Sequence, residues 1–187
     1  MKKLVAIGMV AVGLATMAQA KDEGFYIGGK VALFKVTADM SASWGGDSIS
    51  MTGKEDFTGF TVAGGYRFNR NLRCEAEFGF VSKSDMDVMT YMGQFYADFP
   101  LTDSPVMPYV NAGVGVLSYK ETGFSEGRAP CFSVGAGCAF GITDNLFLDA
   151  AYRYYKASTI DVDYGDDITG DMKISAHAFL AGLRLAF

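Results

Sequence analysis

The 187-residue sequence contains few of the residues that build metal or redox sites, with one histidine and three cysteines. These counts exclude the common zinc centres, which need several cysteine and histidine ligands. Basic residues are also outnumbered, since 16 lysines and arginines stand against 21 aspartates and glutamates, for a formal net charge of −5. Nucleic acid is bound mainly through cations that meet its phosphates, so no nucleic-acid partner is expected. The sequence carries no cofactor-binding motif, and no cofactor is expected.

Glycine and aromatic residues are abundant instead. The chain has 23 glycines, 15 phenylalanines and 10 tyrosines, and 50% of its residues are hydrophobic. Aromatic residues favour strands, and glycine in a strand often marks a close approach of another group. The composition therefore favours β-structure, and the length fits a single domain.

The first 20 residues have the features of a secretory signal peptide. Residues 2 and 3 are lysines, residues 4–17 are uncharged and mostly apolar, and residues 18–20 read Ala-Gln-Ala, a cleavage site of the A-x-A type. The apolar run is shorter than the roughly 20 residues that a membrane-spanning helix needs. We therefore expect residues 1–20 to be cleaved and residues 21–187 to form one exported domain.

Apolar and polar residues alternate along eight segments of this domain, with turn-like stretches between them. Short connections alternate with mostly longer ones, which is typical of outer-membrane barrels with periplasmic turns and extracellular loops. Each segment is long enough to cross a bilayer as a tilted strand of about 9–11 residues. The pattern predicts an all-β fold, an eight-stranded antiparallel up-and-down transmembrane β-barrel. The predicted strands are Gly24–Ala38, Phe57–Asn69, Leu72–Lys83, Val88–Leu101, Met107–Glu121, Ala129–Thr143, Asn145–Ser158 and Met172–Phe187.

Each segment has one apolar, aromatic face and one face with most of its charges and glycines. In the first segment Phe25, Ile27 and Val31 share one face, and Tyr26 and Lys30 share the other. A soluble barrel, the alternative, would turn the apolar face inward. Glycine suits a narrow lumen and charges avoid hydrocarbon, so we expect the polar face to line the inside. The predicted lumen charges are Lys30, Arg67, Glu75, Glu77, Asp98, Asp149, Arg153 and Arg184.

These lumen charges comprise four cations and four anions. An eight-stranded barrel is just wide enough for its own side chains to fill. Because a buried charge without a partner is costly, the balanced set predicts a salt-bridged plug and no wide aqueous pore. A narrow channel for small or apolar solutes, opened by rearranged ion pairs, remains an alternative.

Several segments resemble the strands of a known family. They are FYIGGKVAL at 25–33, PYVNAGVGV at 108–116, LDAAYRYY at 148–155 and the terminal FLAGLRLAF. With the signal peptide and the eight alternating segments, the sequence resembles small outer-membrane β-barrel proteins of the OmpA, OmpX and opacity-protein type, over the whole of residues 21–187. The resemblance implies a porin-family barrel, a Gram-negative outer-membrane location and insertion by the outer-membrane assembly machinery.

The resemblance also implies an assembly signal at the C-terminus. In this family the signal has a glycine, a hydrophobic residue three positions later and a final aromatic residue two beyond that. Gly182, Leu185 and Phe187 match this pattern. Leu180 departs from it, because the family prefers a polar residue there.

One outward-facing pair suggests an enzyme as a further alternative. Ser175 and His177 share a face near the outer end of the last strand, and Asp39 lies at the top of the first strand. Hydrolysis needs a nucleophile, a base and an orienting group. The pair resembles the outward active site of barrel enzymes that deacylate lipid A. A polar histidine among lipid headgroups is the favoured interpretation, so no enzymatic activity is expected.

The predicted extracellular loops and rims are acidic. This charge suits water, divalent cations that bridge to lipopolysaccharide, or a basic host or envelope protein. The segment DVDYGDD could hold Ca²⁺ weakly, but it lacks the spaced ligands and closing glutamate of an EF-hand, so a solvated loop is favoured. Its four carboxylates are Asp161, Asp163, Asp166 and Asp167. The sequence therefore favours a structural or surface-interaction protein in outer-membrane lipid, with its specificity in the loops.

Overall fold

The computed structural model describes residues 23–44, 47–83, 86–102, 104–121, 127–158, 160–163 and 169–187. Within these ranges no helix is long and apolar enough to cross a membrane. The predicted signal peptide, residues 1–20, lies outside the described residues.

The described residues form one antiparallel sheet that closes into a barrel. Eight strands form the wall in the order β1-β2-β3-β4-β5-β6-β7-β9, and β1 pairs with β9 to close it. The short strand β8 pairs with the outer part of β9. The predicted eight-stranded antiparallel barrel is confirmed. The strands are β1 Gly24–Trp44, β2 Asp47–Arg67, β3 Leu72–Lys83, β4 Met86–Asp98, β5 Val106–Glu121, β6 Gly127–Gly141, β7 Leu146–Ala157, β8 Ile160–Asp163 and β9 Thr169–Ala186.

The two faces of the wall differ as the alternation predicts. On β1, the side chain of Phe25 is 70% exposed on the outside, whereas Tyr26 and Lys30 are buried in the lumen. Outward aromatic residues pair across strands, with ring centroids 5.7 Å apart for Phe60 and Phe80. An apolar outside with a polar inside suits hydrocarbon, and it excludes the soluble barrel.

Two short turns are capped by side chains and lie at the same end of the barrel. The Asn69 side-chain oxygen accepts hydrogen bonds from the backbone N–H groups of Asn71 and Leu72 at 2.8 and 2.9 Å. The Thr143 hydroxyl oxygen accepts from Asn145 and Leu146 in the same way. Such local bonds replace the ladder where the chain reverses. Short turns mark the periplasmic end of an outer-membrane barrel, so the opposite end faces outward.

The hairpin of β1 and β2 extends well beyond the barrel wall, which corrects the predicted loop at 39–56. β1 and β2 stay paired up to Trp44 opposite Asp47, although β2 pairs with β3 only from Gly59 opposite Val81. Residues 51–56 are exposed on both faces. A strand that meets water on both sides needs no apolar alternation, so periodicity missed it. The predicted loop at 159–171 likewise contains β8 and the start of β9.

Candidate functional site

Among the described residues, eight charged side chains are fully buried in the lumen, four of each sign. They are Lys30, Arg73, Arg153, Arg184, Glu75, Glu77, Asp98 and Asp149. Seven of them belong to the predicted set, and Arg73 takes the place expected for Arg67. Arg67 is half-buried at the periplasmic end of β2, directly opposite Arg73 in the register. The alternation along β3 places Arg73 on the inner face. Because Arg73 lies close to a turn, the sequence does not indicate how far its side chain reaches into the lumen.

One ion pair crosses the lumen. Arg153 on β7 donates from Nη1 to Oε1 of Glu77 on β3 at 2.6 Å. These strands lie on opposite sides of the barrel, because β3 and β7 are four strands apart in a ring of eight. Arg153 also donates to the hydroxyl oxygens of Tyr155 and Tyr96, both at 2.9 Å. The pair therefore occupies the barrel axis and is held in place by two phenols.

A second cluster surrounds Glu75. Its carboxylate accepts from Arg73 Nη1 at 2.6 Å and from the Tyr96 hydroxyl at 2.7 Å, and it lies 3.7 Å from Lys30 Nζ. Arg73 also donates from Nε to Asp98 at 3.0 Å, and its guanidinium carbon lies 3.7 Å from the centroid of the Tyr96 ring. Tyr96 thus touches both clusters, and the middle of the lumen forms one connected network.

Two further sets of polar side chains lie in the lumen. Arg184 Nε donates to Asp149 Oδ2 at 3.1 Å near the periplasmic end. Gln94 connects β4 to β6 and β5, because its amide donates to Ser133 Oγ at 2.9 Å and accepts from Asn111 at 3.0 Å. All five of these polar side chains are buried inside the barrel.

Inward glycines give the large lumen side chains their space. Tyr26 lies opposite Gly65 in the register, and Tyr109 lies opposite Gly137. A Cβ atom at Gly137 would lie 2.7 Å from the Tyr109 hydroxyl oxygen, and one at Gly65 would overlap the Tyr26 ring. The glycines that share a face with the charges therefore accommodate their cross-strand neighbours.

The structure does not bring together the three residues of the alternative in which the barrel deacylates lipid A. His177 faces outward, and its Nδ1 lies 2.6 Å from the Tyr152 hydroxyl. Asp39 lies opposite Lys173 in the register, and its carboxylate accepts from Thr52 Oγ1 at 2.7 Å. Ser175 lies opposite Thr37, and Thr37 is the residue that precedes Asp39 on the outward face of β1. Tyr152 is not among the residues predicted for this site, although its outward parity in the segment LDAAYRYY is compatible with the contact to His177.

The residues of the predicted assembly signal lie on both faces of β9 and at its end. Leu185 and Phe187 are exposed on the lipid side, and Phe187 donates its backbone N–H to Phe25 O at 2.9 Å. Gly182 points inward, and a Cβ there would lie 2.5 Å from Lys30 Cα. Close approach of β1 thus accounts for the glycine.

The acidic segment considered as a weak Ca²⁺ candidate lies mostly outside the described residues. Asp161 and Asp163 belong to β8, while Asp166 and Asp167 are not described. Among the described residues, no three acidic, cysteine or histidine side chains are grouped as metal ligands.

Cations gather on the outward face at the outer end of the barrel. One row across four strands contains Lys156, Ser175, Thr37 and Lys54. Two residues closer to the membrane on the same face, His177 lies opposite Lys35. We call the exposed lysines of this region the outer basic rim, consisting of Lys35, Lys54, Lys156 and Lys173. Exposed Asp39 and Asp56 share this outward face with the four lysines.

An apolar cylinder of eight strands around an ion-paired interior defines an outer-membrane β-barrel. Comparison with protein families agrees, since residues 4–187 match the family described as the outer membrane protein beta-barrel domain, and the chain belongs to this family. It is therefore a Gram-negative outer-membrane protein.

Known proteins resemble the chain at different levels. The outer membrane protein PagN of Salmonella typhimurium is 28% identical over 125 residues, which cover 56% of this chain and 52% of PagN, so the chain spans about half the length of this curated relative. Neisserial surface protein A has a solved structure with 22% identity and a TM-score of 0.63, covering 88% of this chain and 97% of that one. OprG of Pseudomonas aeruginosa is 16% identical with a TM-score of 0.63, covering 90% and 98%. At these identities the solved structures show a shared fold.

Proposed function

We propose that the protein is a membrane anchor that presents an interaction surface outside the cell, with a lumen closed by its own side chains. The ion pair of Glu77 and Arg153 carries this proposal, because it joins opposite walls at 2.6 Å in the middle of the barrel. The two buried ionic clusters and the amide group around Gln94 support it. The hairpin of β1 and β2, which projects beyond the wall, provides surface for partners.

Planar-bilayer recording tests the closed lumen. The purified barrel is expected to give no stable large conductance, since side chains fill its axis. The double variant Glu77→Ala/Arg153→Ala removes the pair that crosses the lumen and should show more frequent small openings. Lys54→Ala, on the outer surface, is the matched control and should stay silent. A stable large conductance from the unaltered protein would support the channel alternative instead.

We propose no enzymatic activity. The Asp39 carboxylate accepts a hydrogen bond from Thr52, and His177 forms a hydrogen bond with Tyr152. The histidine that would act as the base is therefore not oriented by Asp39. Mass spectrometry of lipid A from cells with and without the protein is expected to give the same acylation pattern. A lost acyl chain that reappears in a Ser175→Ala variant would support the enzyme alternative.

The outer basic rim suggests a first partner, the phosphate groups of lipopolysaccharide. Exposed lysines at the outer end of the lipid-facing wall lie where these phosphates are found, and such pairs are attractive in the low dielectric of the interface. The double variant Lys35→Gln/Lys156→Gln should retain less lipopolysaccharide per barrel after purification. Arg70→Gln, at the periplasmic end, is the control. Equal retention in all three proteins would remove this partner.

The acidic loops are proposed to bind a second, basic partner from the host or the envelope. A binding screen of the barrel in lipid, against matrix and envelope proteins, tests this at low and high salt. Binding that weakens with salt supports an electrostatic partner. Binding that does not weaken, or the lack of any binding, contradicts it.

Export by a cleaved signal peptide is also proposed. The pattern at residues 2–20 supports it. N-terminal sequencing of the protein from outer membranes should begin at Lys21, and a chain that begins at residue 1 would contradict cleavage.

A further inference from the structure

Arg67 is a surplus cation at the periplasmic end of the lumen. The four fully buried cations are matched by four fully buried carboxylates, and Arg67 adds a fifth cation. The carboxylate nearest to its guanidinium is Asp98, at 3.6 Å. Asp98 already accepts two hydrogen bonds from Arg73 Nε, at 3.0 and 3.1 Å. The charge of Arg67 is therefore left without a carboxylate of its own among the described residues.

Three guanidinium groups meet around two aromatic rings at this end. Arg67 and Arg184 flank Phe147, with guanidinium carbons 5.8 and 4.7 Å from its ring centroid. Arg184 and Arg73 lie 5.5 and 5.7 Å from the centroid of Tyr26. The three arginines thus surround one region of the lumen, although they come from three different strands.

Each of these arginines has buried nitrogen atoms with no hydrogen-bond partner among the described residues. These atoms are Arg67 Nε and Nη2, Arg73 Nη2 and Arg184 Nη2. A buried guanidinium N–H without an acceptor is costly, so each such group in a folded protein calls for an explanation. Arginine N–H groups in a fixed array match the several oxygens of a phosphate or carboxylate.

The two carboxylates nearest this region each already pair with an arginine, although Asp149 Oδ1 has no hydrogen-bond partner among the described residues. Asp98 is held by Arg73, and Asp149 accepts from Arg184 Nε at 3.1 Å. Glu75 is shared by Arg73 and Lys30 on the side toward the middle of the barrel. The remaining positive charge belongs to Arg67, whose side chain is 15% exposed and lies two residues before the periplasmic turn at 69–71.

We infer that the periplasmic mouth of the lumen binds a small oxyanion of the phosphate class. Its charge is balanced by Arg67, and its oxygens accept hydrogen bonds from the unpaired nitrogens of Arg67, Arg73 and Arg184. The anion would enter from the periplasmic side, where the Arg67 side chain is 15% exposed. This site is separate from the outer surface and goes beyond the anchor function.

Calorimetric titration of inorganic phosphate into the intact barrel tests the inference. The barrel is held in a non-ionic detergent free of phosphate, at constant ionic strength, and should bind one phosphate saturably. Arg67→Gln should weaken binding about 10- to 100-fold, the value of one or two charged hydrogen bonds. This variant leaves four buried cations and four buried anions, so it should still fold. Folding is checked by the difference in gel migration between heated and unheated samples. Arg128→Gln, at the exposed outer end of β6, is outside both proposed phosphate-binding regions and should bind like the unaltered protein.

The conservative variant and a lipid competitor sharpen the test. Arg67→Lys keeps the charge but loses the guanidinium fork, and should bind between the unaltered protein and Arg67→Gln. Soluble short-chain phosphatidylglycerol displaces phosphate if a lipid headgroup can supply the anion, and fails to do so if only a free anion fits. The inference is overturned if the unaltered barrel shows no saturable binding, or if folded Arg67→Gln binds phosphate as tightly as Arg128→Gln.

Discussion

At the scale of single residues, Glu77 and Arg153 form the contact whose loss the barrel should tolerate least. Arg153→Met leaves the Glu77 carboxylate buried without its cation. Breaking a buried pair in this way costs about 3–5 kcal/mol of unfolding free energy. Equilibrium unfolding in urea, followed by circular dichroism in detergent, should show this loss.

The matched double variant separates the charge from the packing. Replacing both members, as Glu77→Met/Arg153→Met, leaves no unpaired charge, so most of the lost stability should return. If the double variant is as unstable as the single one, the space that Arg153 fills matters more than its ion pair.

The charged residues of the lumen could be predicted from parity, but their partners could not. A period of two fixes which side of the wall a residue faces, and this was enough to find Lys30 and Glu77. The reach of a side chain decides the partner, which is why Arg73 joins Glu75 and Asp98 while Arg67 stays at the mouth. The contact of His177 with Tyr152 joins two strands, and a single sequence does not give that register.

At the scale of strands, adjacent glycines on β2 should differ in how much stability they lose on the same substitution. At Gly65 a Cβ would lie 2.5 Å from the backbone oxygen of Cys74 and would overlap the Tyr26 ring, whereas nothing lies within 4 Å of one at Gly64. Gly65→Ala should therefore lower the unfolding free energy by about 1–3 kcal/mol, as overpacking does. Gly64→Ala is the control and should leave the urea midpoint nearly unchanged, and equal losses in the two variants would contradict the packing argument.

Strand boundaries were predictable where one face meets lipid and the other the lumen. β3 begins and ends at the predicted residues, Leu72 and Lys83. β1 and β2 continue to Trp44 and Asp47, well past the predicted ends. Beyond the wall the backbone ladder holds the hairpin together without a hydrophobic face, so composition gives no indication of where the strands stop.

At the scale of the whole molecule, Phe187 should matter more for insertion in cells than for stability. Its ring is 42% exposed on the lipid side, and its backbone N–H closes the ladder with β1. Phe187→Ala keeps that backbone bond but removes the final aromatic residue of the assembly signal. The variant should reach the outer membrane in reduced amounts, measured by fractionation, yet refold from urea into detergent as the unaltered protein does.

The exposed apolar residue Leu148 provides the comparison for this prediction. Leu148→Ala removes a similar lipid-facing side chain outside the assembly signal. If both variants lose outer-membrane level equally, then general loss of lipid contact explains the effect, and Phe187 has no special part in recognition.

The bond between Glu77 and Arg153 joins residues 76 positions apart, on β3 and β7. If only part of the barrel had formed, Glu77 and Arg153 would face hydrocarbon without their partners. The desolvation penalty would be several kcal/mol for each ion. Contacts of such long sequence separation also make folding slow, because a large loop must close before they form. The interior thus links the first and last halves of the chain into a single cooperative step, and an incomplete cylinder has no stable place in the bilayer.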